Sequence, residues 1–492
     1  MTSTPDLSST LHARYLRPEL VHAPSVAMDP PQRRIPFGWG AFAVRPDELG
    51  DPARLAWPTT ASLHCPARLR VTIASDDREP KQLRFALAGS NRTLGKLDIR
   101  YGVVLQPFEL PLAATDVDAA IEQGITLSLT EGTTPLWLFY DPEPCGRGHE
   151  ALLPHLLPET EPHANPLDAF YDCFTSLASL QQFGWMQGCV FDGLDDLANH
   201  SSDPTIARHA RETLLTQLAM FFPGDRMVYE NPQGLASDKP FHNVEATLVV
   251  VALARHRPEH PAIEDALRFW REHAGDDDLV GAGHATAEGS LTVGYPLSVL
   301  ARLRQDRELA RFAVAQLLGR QRRLRVGEDL YLRHTLETNT HTYRNWARGA
   351  AWHMLGITRS IIELKDWSPP GSLDKLIAEA RSLYRWAIDH QRDDGVWNCY
   401  LHDPETQAET SGSAGIAAAL ALAHRHGFAP DDALPAAQRA FVQLQQYLTP
   451  DGLLTGVSQS NKKEGGEALQ RSGYRTISQT GMGLFAQLAA AL

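Results

Sequence analysis

Apolar and polar residues alternate in the first part of the chain, between residues 34 and 145. The alternation is clear in Arg84-Phe-Ala-Leu87 and in Thr126-Leu-Ser-Leu129. A period of two residues is typical of strands that bury one face of an antiparallel sheet. The strands predicted in this way are Leu69–Ala74, Gln82–Ala88, Leu97–Leu105, Ile125–Thr130 and Leu136–Tyr140. We therefore predict a small antiparallel β-sandwich over residues 34–145.

The hydrophobic period changes to 3.6 residues near position 166. The helices predicted from this period are 167–182, 186–199, 204–222, 241–256, 260–274, 287–304, 306–324, 344–365, 372–392, 410–426, 433–448 and 478–491. Long polar connections precede every second helix, and those even-numbered helices are the more apolar ones. The alternation predicts a mainly α domain over residues 166–492, an (α/α)6 toroid of six helical hairpins with the apolar helices inside. An open helical solenoid is the alternative.

Two segments lack either period. Residues 1–33 are rich in Pro, Ser and His, which indicates an extended N-terminal arm. Residues 146–165 contain closely spaced helix and strand breakers, among them Gly148, Pro154, Pro158 and Pro162. This density of breakers predicts a linker between the sandwich and the helical domain.

Composition narrows the function classes. The net charge of −13 argues against nucleic-acid and anionic-membrane partners. The five cysteines have no CxxC spacing, and the N-terminus has no secretory pattern, so we expect a cytoplasmic protein. We expect no metal and no cofactor, because the chain has no HExxH motif, no GxGxxG motif in a strand–helix context and no GxxxxGK[ST] motif.

The candidate chemistry collects before the even-numbered helices. If these helices line the ring, their N-termini open at one mouth. Aromatic rings there can stack on a pyranose, while polar groups can recognise its hydroxyls through hydrogen bonds. Arg348 and Trp352 share one helix face, where an arginine suits a carboxylate. The candidate binding residues are Trp185, Gln187, His284, His341, Tyr343, Trp346, Arg348, Trp352, Trp397 and Glu409. Helix capping is the alternative for Glu409, and core packing is the alternative for the tryptophans.

Several stretches resemble the unsaturated uronyl hydrolases, glycoside hydrolase families 105 and 88. Asn345-Trp-Ala-Arg-Gly-Ala-Ala-Trp352 is similar to their W-x-R-G-N-G-W segment, and Glu409-Thr-Ser-Gly-Ser-Ala414 to their E-T-S-x-S-A segment. Asp394-Gly-Val-Trp397, Asp451-Gly-Leu-Leu-Thr-Gly-Val457 and Gln479-Thr-Gly-Met-Gly-Leu-Phe485 also match family patterns in order. The resemblance covers residues 165–492 and leaves out the N-terminal sandwich.

The resemblance implies an (α/α)6 barrel that acts on a 4-deoxy-4,5-unsaturated uronic acid at the non-reducing end of an oligosaccharide. It also implies hydration of the vinyl ether by an acid, without a cofactor. The family's catalytic Asp corresponds best to Glu288, and a second family Asp corresponds to His242. The chain departs from the family at Ala350 and Asn398, where the family has Asn and His.

The residues leave other functions open. A uronate-directed polysaccharide lyase or a saturated uronidase could use the same toroid, with Glu288 and His242 as an acid/base pair. A degenerate carbohydrate-binding protein is the non-enzymatic alternative, against which the retained carboxyl of Glu288 argues. We expect an acidic oligosaccharide as the partner. The oligomeric state stays open, with a homodimer as one option.

Overall fold

The computed structural model describes residues 15–29, 31, 33–77, 79–159, 165–230, 236–237, 241–275, 279–281, 283–369, 371–459 and 466–492. The chain divides into two compact units. The first comprises residues 1–182, 229–237 and 450–452, and the second comprises residues 183–228, 238–449 and 453–492. The first unit is mainly antiparallel sheet and the second is mainly helical.

The first unit is built from short antiparallel strands. They are β1 (Glu19–His22), β2 (Ala41–Val44), β3 (Ala53–Ala56), β4 (Ala67–Thr72), β5 (Lys81–Leu87), β6 (Thr93–Ile99), β7 (Pro107–Leu112), β8 (Ile125–Glu131), β9 (Leu136–Phe139), β10 (His155–Pro158), β11 (Tyr229–Glu230) and β12 (Ala236–Ser237). The unit also contains helices α1 (Ala114–Gln123) and α2 (Pro166–Phe174). One sheet has the order β1-β3-β8-β5-β6 and another β10-β4-β7, while β2 pairs with β9. Apolar side chains from these sheets form one core.

The predicted strands are confirmed in part. The range Leu97–Leu105 is wrong beyond Ile99, because Tyr101 and Leu105 have positive φ and form a turn. Strand β10 lies in the segment predicted as a linker and pairs with β4. Helix α1 was not predicted, because it buries only two apolar side chains and its periodicity is weak.

The second unit contains most of the helices. They are α3 (Trp185–His200), α4 (Pro204–Phe221), α5 (Val250–His256), α6 (Ala262–Glu272), α7 (Tyr295–Arg304), α8 (Arg307–Leu324), α9 (Ala347–Leu364), α10 (Asp374–Asp389), α11 (Thr410–Arg425), α12 (Ala433–Leu444), α13 (Gly466–Arg471) and α14 (Gln479–Ala491). Within the described part of the chain, no helix combines the length and the apolar character that a membrane span requires.

Apolar helices pack against one another in a cycle within the second unit. Their order is α3, α5, α7, α9, α11 and α14, and α14 packs against α3 again. Helix α11 shows why they lie inside, since every residue from Thr410 to Ala423 is buried. Helices α4, α6, α8, α10 and α12 pack outside α3, α5, α7, α9 and α11, respectively. Gly483 permits one close approach, because a Cβ there would lie 2.6 Å from the carbonyl of Cys189.

Local signals set the ends of several helices. The Asp203 and Asp306 side chains accept hydrogen bonds from the first free N–H groups of α4 and α8. Most predicted helices agree with the structure to within a few residues. The range 167–182 is wrong in its second half, because α2 ends at Phe174 and a separate 3-10 turn follows.

The polar connections predicted as loops contain short strands, so that prediction is wrong. The strands are β13 (His284–Thr286), β14 (Arg325–Val326), β15 (Asp329–Thr335), β16 (Thr340–Arg344), β17 (Asn398–Tyr400), β18 (Asp403–Ala408), β19 (Val457–Ser458) and β20 (Arg475–Thr476). Strand β15 pairs with β13, β14 and β16. The alternation of apolar and polar residues is weak in β15 and β16, because few of their side chains are buried.

Candidate active site

A cavity of about 230 Å³ opens beside the β15–β16 hairpin in the second unit. Segments distant in sequence form its walls: the turn before α5, the β13 strand, the hairpin, the first turns of α9, and α13. Its lining residues are Val244, Glu245, Gly281, His284, Thr286, Glu288, Leu332, Arg333, Thr342, Tyr343, Trp346, Trp352 and Gln470. The cavity therefore combines two carboxyl groups, a guanidinium, an imidazole and several aromatic rings.

Glu288 is the acid whose proton affinity is most altered in this cavity. Burial raises the pKa of Glu288 to about 7, and the Arg333 charge, a hydrogen bond with Thr286 and the Arg348 charge oppose that rise. A carboxyl with such a pKa holds its proton near neutral pH and can also accept one. This property suits general acid–base catalysis.

The backbone after Glu288 forms an unusual turn. Residues Ser290–Gly294 are π-helical and lead directly into α7. Such turns are rare and occur frequently at functional sites. Helix α9 packs closely against this turn at Gly356, where a Cβ would lie 2.3 Å from the carbonyl carbon of Ser290. The close approach requires glycine and fixes the turn that carries Glu288.

His353 also holds this turn. Its Nδ1 lies 2.7 Å from Ser290 Oγ, and its Nε2 lies 2.6 Å from Gln321 Oε1. Burial lowers the pKa of His353 to about 3, so the imidazole stays neutral at working pH. Thr247 Oγ1 donates to the Thr292 carbonyl at 2.6 Å, which ties the segment before α5 to the same turn.

Trp346 and Trp352 line the cavity, and Trp185, which lies outside the lining, packs against Trp352. The Trp352 ring lies 4.9 Å from the Trp185 ring and 5.4 Å from the Trp346 ring, edge-on to each. Trp346 Nε1 donates to Gln470 Oε1 at 3.2 Å. Among the described residues, the buried Trp352 Nε1 has no hydrogen-bond partner. Tyr343 continues this aromatic cluster, with its ring 5.4 Å from that of Trp346.

Arg348 stacks on this aromatic cluster from within the protein. Its guanidinium carbon lies 4.7 Å from the Trp346 ring centre and 5.8 Å from the Trp352 ring centre. Its Nη1 donates to the Ser458 carbonyl at 2.6 Å and to Ser411 Oγ at 3.3 Å. Within the described ranges, its buried Nε and Nη2 have no partner. The guanidinium thus retains N–H donors beside the cavity wall.

Glu409 is a fully buried helix cap. Its carboxylate accepts hydrogen bonds from the backbone N–H groups of Ser411, Gly412 and Ser458, and from Ser411 Oγ. It lies 3.9 Å from Arg348 Nη1. Because donors within the protein already occupy this carboxylate, the geometry favours helix capping and the orientation of Arg348 over direct contact with a substrate.

Other predicted binding residues lie outside the cavity lining. Trp397 is fully buried and donates Nε1 to the Ala387 carbonyl at 2.7 Å. Gln187 is also fully buried and donates to Gln217 at 2.7 Å. His341 stacks on His334, and its Nε2 lies 3.0 Å from the Arg323 carbonyl. Their side chains contact protein groups, so this geometry gives no support to substrate-binding roles for these three residues.

Glu245, and not the predicted His242, contributes a side chain to the cavity lining. His242 is exposed and is absent from the cavity lining, whereas Glu245 lines the cavity. The reason is local: Asn243 accepts from the Ala246 N–H at 2.9 Å and starts a 3-10 turn that brings Glu245 round to the cavity. An acidic residue in the first turn after an Asn cap was a signal that could have identified Glu245.

Arg333 is the other charged residue of the cavity lining that the sequence did not identify. It is an exposed residue of β15, in a segment predicted as a loop. Its charge lowers the pKa of His284, although burial has the larger effect on that residue. No motif marks Arg333, because only the pairing of β15 with β13 brings it beside Glu288.

Among the described residues, no cluster of three His, Cys, Asp or Glu side chains is arranged to hold a metal.

Comparisons with known proteins bear on the family and on the fold. Residues 293–492 match the family model Glycosyl Hydrolase Family 88. No curated protein matches the chain. A possible member of the GH105 family from Klebsiella pneumoniae subsp. pneumoniae MGH 78578 superposes with a TM-score of 0.53 at 18% identity, covering 63% of this chain and 82% of that one.

Two more solved structures share the fold. A possible GH105 member from Salmonella enterica subsp. enterica serovar Paratyphi A str. ATCC 9150 has a TM-score of 0.56 at 16% identity, covering 68% of this chain and 96% of that one. A family 105 glycoside hydrolase from C. acetobutylicum ATCC 824 has a TM-score of 0.52 at 16% identity, covering 64% and 94%. The match over residues 293–492 and these shared folds support a glycoside hydrolase whose C-terminal part is similar to Glycosyl Hydrolase Family 88.

Proposed function

We propose that the protein removes an unsaturated uronic acid from the non-reducing end of an acidic oligosaccharide. The observation that carries this proposal is a carboxyl with a pKa of about 7, Glu288, in a cavity lined by Trp346, Trp352 and Arg333. The Arg348 guanidinium stacks on the same two tryptophans. A sugar ring suits the aromatic walls, and a carboxylate suits the arginines.

The proposed reaction begins at the double bond of the vinyl ether. Protonated Glu288 gives its proton to C4, and positive charge develops at C5 and the ring oxygen. A water molecule then adds at C5 and loses a proton to the Glu288 carboxylate, which restores the acid. The resulting hemiketal opens, the C1–O bond to the neighbouring sugar breaks, and the remaining oligosaccharide leaves.

The other cavity residues have supporting roles in this proposal. Glu245 and His284 line the same cavity. We assign to them the orientation of the attacking water. We propose that Arg348 binds the substrate carboxylate through its unpartnered N–H groups, with Trp352 and Trp346 against the sugar ring. Arg333 is the competing candidate for the carboxylate, since it lines the cavity directly.

The architecture proposed for this activity is a closed toroid of six helical hairpins. The cycle from α3 through α14 supports the closed ring, and the outer helices α4, α6, α8, α10 and α12 support the hairpins. We keep residues 34–145 as the sandwich domain and residues 166–492 as the catalytic domain.

The test is a substrate panel of matched pairs. Each pair has an oligosaccharide with an unsaturated uronate at its non-reducing end and the saturated oligosaccharide of the same length. Loss of ultraviolet absorbance by the conjugated double bond reports turnover. We expect turnover only of the unsaturated member of each pair. Cleavage of the saturated members at a similar rate would show an ordinary uronidase instead, and formation of new double bonds would show a lyase.

A further inference from the structure

Tyr343 has a backbone conformation that is rare for a tyrosine. Its φ is 57°, in the left-handed region, and it stands in β16 at the wall of the Glu288 cavity. A bulky side chain at positive φ is an outlier that costs free energy, and such outliers cluster at active sites. The fold therefore keeps Tyr343 in a conformation that its own residue type disfavours.

A contact from outside the hairpin holds this conformation. The register of β15 and β16 pairs Arg333 with Thr342 and Tyr331 with Arg344, and it passes over Tyr343 between them. The Tyr343 backbone N–H donates to Glu467 Oε1 at 2.7 Å, across 124 residues of the chain. Glu467 belongs to the first turn of α13. A hydrogen bond to an ionised carboxylate is stronger than one between neutral groups, so it fixes the direction of this N–H.

The held conformation places the Tyr343 ring beside the groups of the proposed reaction. Its centre lies 5.4 Å from the Trp346 ring centre, so the two rings continue one aromatic wall. Burial raises the pKa of the hydroxyl, and the Glu467 and Glu288 charges raise it further, while the Arg348 charge opposes them. The phenol therefore lies within electrostatic range of the proposed acid and of the proposed carboxylate-binding residue.

The other end of α13 has a separate contact. Arg471 donates to Asp403 at 2.5 Å, and its guanidinium carbon lies 4.1 Å from the Tyr400 ring centre. Asp403 and Tyr400 belong to the β17–β18 hairpin, not to the hairpin that carries Tyr343. The two contacts of α13 can therefore be removed one at a time.

We propose that Glu467 is a positioning residue for the reaction at Glu288: it holds Tyr343 in the left-handed conformation and so keeps the phenol ring in the cavity, against the sugar ring of the substrate. Glu467 is absent from the cavity lining, so it acts through Tyr343. The inference rests on the proposed function for its substrate and on the backbone of Tyr343 for its geometry.

The first test measures kcat and KM on the unsaturated oligosaccharides. Glu467→Ala removes the acceptor, so Tyr343 should relax to extended backbone and its ring should leave the cavity. KM should rise about tenfold with a smaller change in kcat, because a contact made both before and during the reaction is lost. Glu467→Gln keeps a carbonyl oxygen at the same reach and should restore most of the affinity.

Asp403→Ala is the matched control, because it removes the other contact of α13 and leaves the Tyr343 N–H bonded to Glu467. Its KM should stay near native. Equal effects of Glu467→Ala and Asp403→Ala would show that Glu467 only attaches the helix, and the inference would be overturned.

Tyr343→Gly tests the coupling, because glycine adopts positive φ without strain and has no ring to position. Alone, it should raise KM at least as much as Glu467→Ala does. In the Tyr343→Gly background, Glu467→Ala should raise KM no further. A native KM for Tyr343→Gly, or an undiminished effect of Glu467→Ala in that background, would also contradict the inference.

A crystal structure of the Glu467→Ala variant separates this inference from the proposed reaction. We expect Tyr343 in extended backbone with its ring outside the cavity. A Tyr343 that keeps its left-handed conformation would refute the positioning role, even if unsaturated substrates are hydrolysed. Failure of the native chain to turn over any unsaturated substrate would instead refute the proposed reaction, and the variant structure would still decide whether Glu467 positions Tyr343.

Discussion

A half-buried carboxyl group and a buried one in the helical unit have nearly the same pKa and very different surroundings. Burial raises the pKa of Glu288 to about 7, and it raises the pKa of Asp192 to about 7 as well. Glu288 lines a cavity with aromatic walls. Asp192 lies in α3 among other charged side chains, and it is absent from the lining of that cavity.

The charges around Asp192 form a buried network. Arg255 donates to Asp195 and Glu363, each at 2.6 Å, and to the Tyr295 hydroxyl at 3.1 Å. Arg359 donates to Asp196 and, at 2.8 Å, to Gln487. The network joins α3, α5, α7, α9 and α14 and therefore holds the cycle of apolar helices together.

The comparison shows that a raised pKa does not by itself identify a catalytic acid. Desolvation raises both values, and only access to a cavity separates them. The proposed division is that Glu288 serves chemistry and the Asp192 region serves stability. The following predictions test that division.

The largest expected effect is on turnover in Glu288→Gln. The amide keeps the size of the side chain but cannot exchange the proton, so kcat should fall by a factor of about 10² to 10⁴. Asp192→Asn is the matched control, because it makes the same carboxyl-to-amide change at a group whose pKa is also about 7. Its kcat should be near native.

In the native enzyme, kcat should fall as pH rises above about 7, since Glu288, the proton donor, is then ionised. Near-full turnover by Glu288→Gln would move the acid role to Glu245 or His242.

Arg359→Ala should produce the largest loss of stability. It leaves Asp196 buried without its partner, which typically costs about 3–5 kcal/mol in the free energy of unfolding. Chemical denaturation measures the loss. Arg208→Ala is the control: it removes an exposed pair with Glu212 and should cost less than about 1 kcal/mol. Equal effects of the two substitutions would contradict a structural role for the network.

Asp192 should make stability depend on pH with a defined sign. Its folded pKa of about 7 lies above the ordinary value of 3.8. Between these values the native state holds a proton that the unfolded state has released, so its contribution to stability falls as pH rises, by about 1.4 kcal/mol per pH unit. Asp192→Asn cannot ionise and should be more stable than the native chain at pH 8, with little difference at pH 4.

Asp195 supplies the opposite control for that experiment. Its hydrogen bond with His256 and its pairing with Arg255 outweigh burial and lower its pKa to about 2. Its stabilising contribution is present above pH 3.8 and is lost as pH falls toward 2. Asp195→Asn should therefore destabilise the protein at pH 7. A stability difference for Asp192→Asn that does not grow between pH 4 and pH 8 would contradict the assignment.

The smallest predicted effect concerns recognition of the substrate carboxylate. Arg348→Lys loses the planar guanidinium that can bind both carboxylate oxygens. KM should rise roughly 10- to 150-fold, which corresponds to about 1.5–3 kcal/mol of lost binding free energy, with a smaller change in kcat. Arg333→Lys should change KM less, because an exposed charge contributes less than a buried one. The reverse order would make Arg333 the carboxylate-binding residue.

The sequence by itself determined most helices of the second unit and several strands of the first. Helix starts at Asp203 and Asp306 depend on neighbours in the chain, and apolar periodicity is visible without any tertiary contact. The sequence also identified Glu288, His284 and the aromatic residues of the cavity, because they precede or begin apolar helices and match family motifs.

Only the tertiary structure decided which polar residues share the cavity. Arg333 reaches it through strand pairing, and Glu245 reaches it through a short turn, while Trp397 is turned toward the Ala387 carbonyl. The same holds for the proton affinities of Glu288 and Asp192. Desolvation and charge pairing depend on groups that are remote in sequence and close in space, so no local pattern in the chain encodes them.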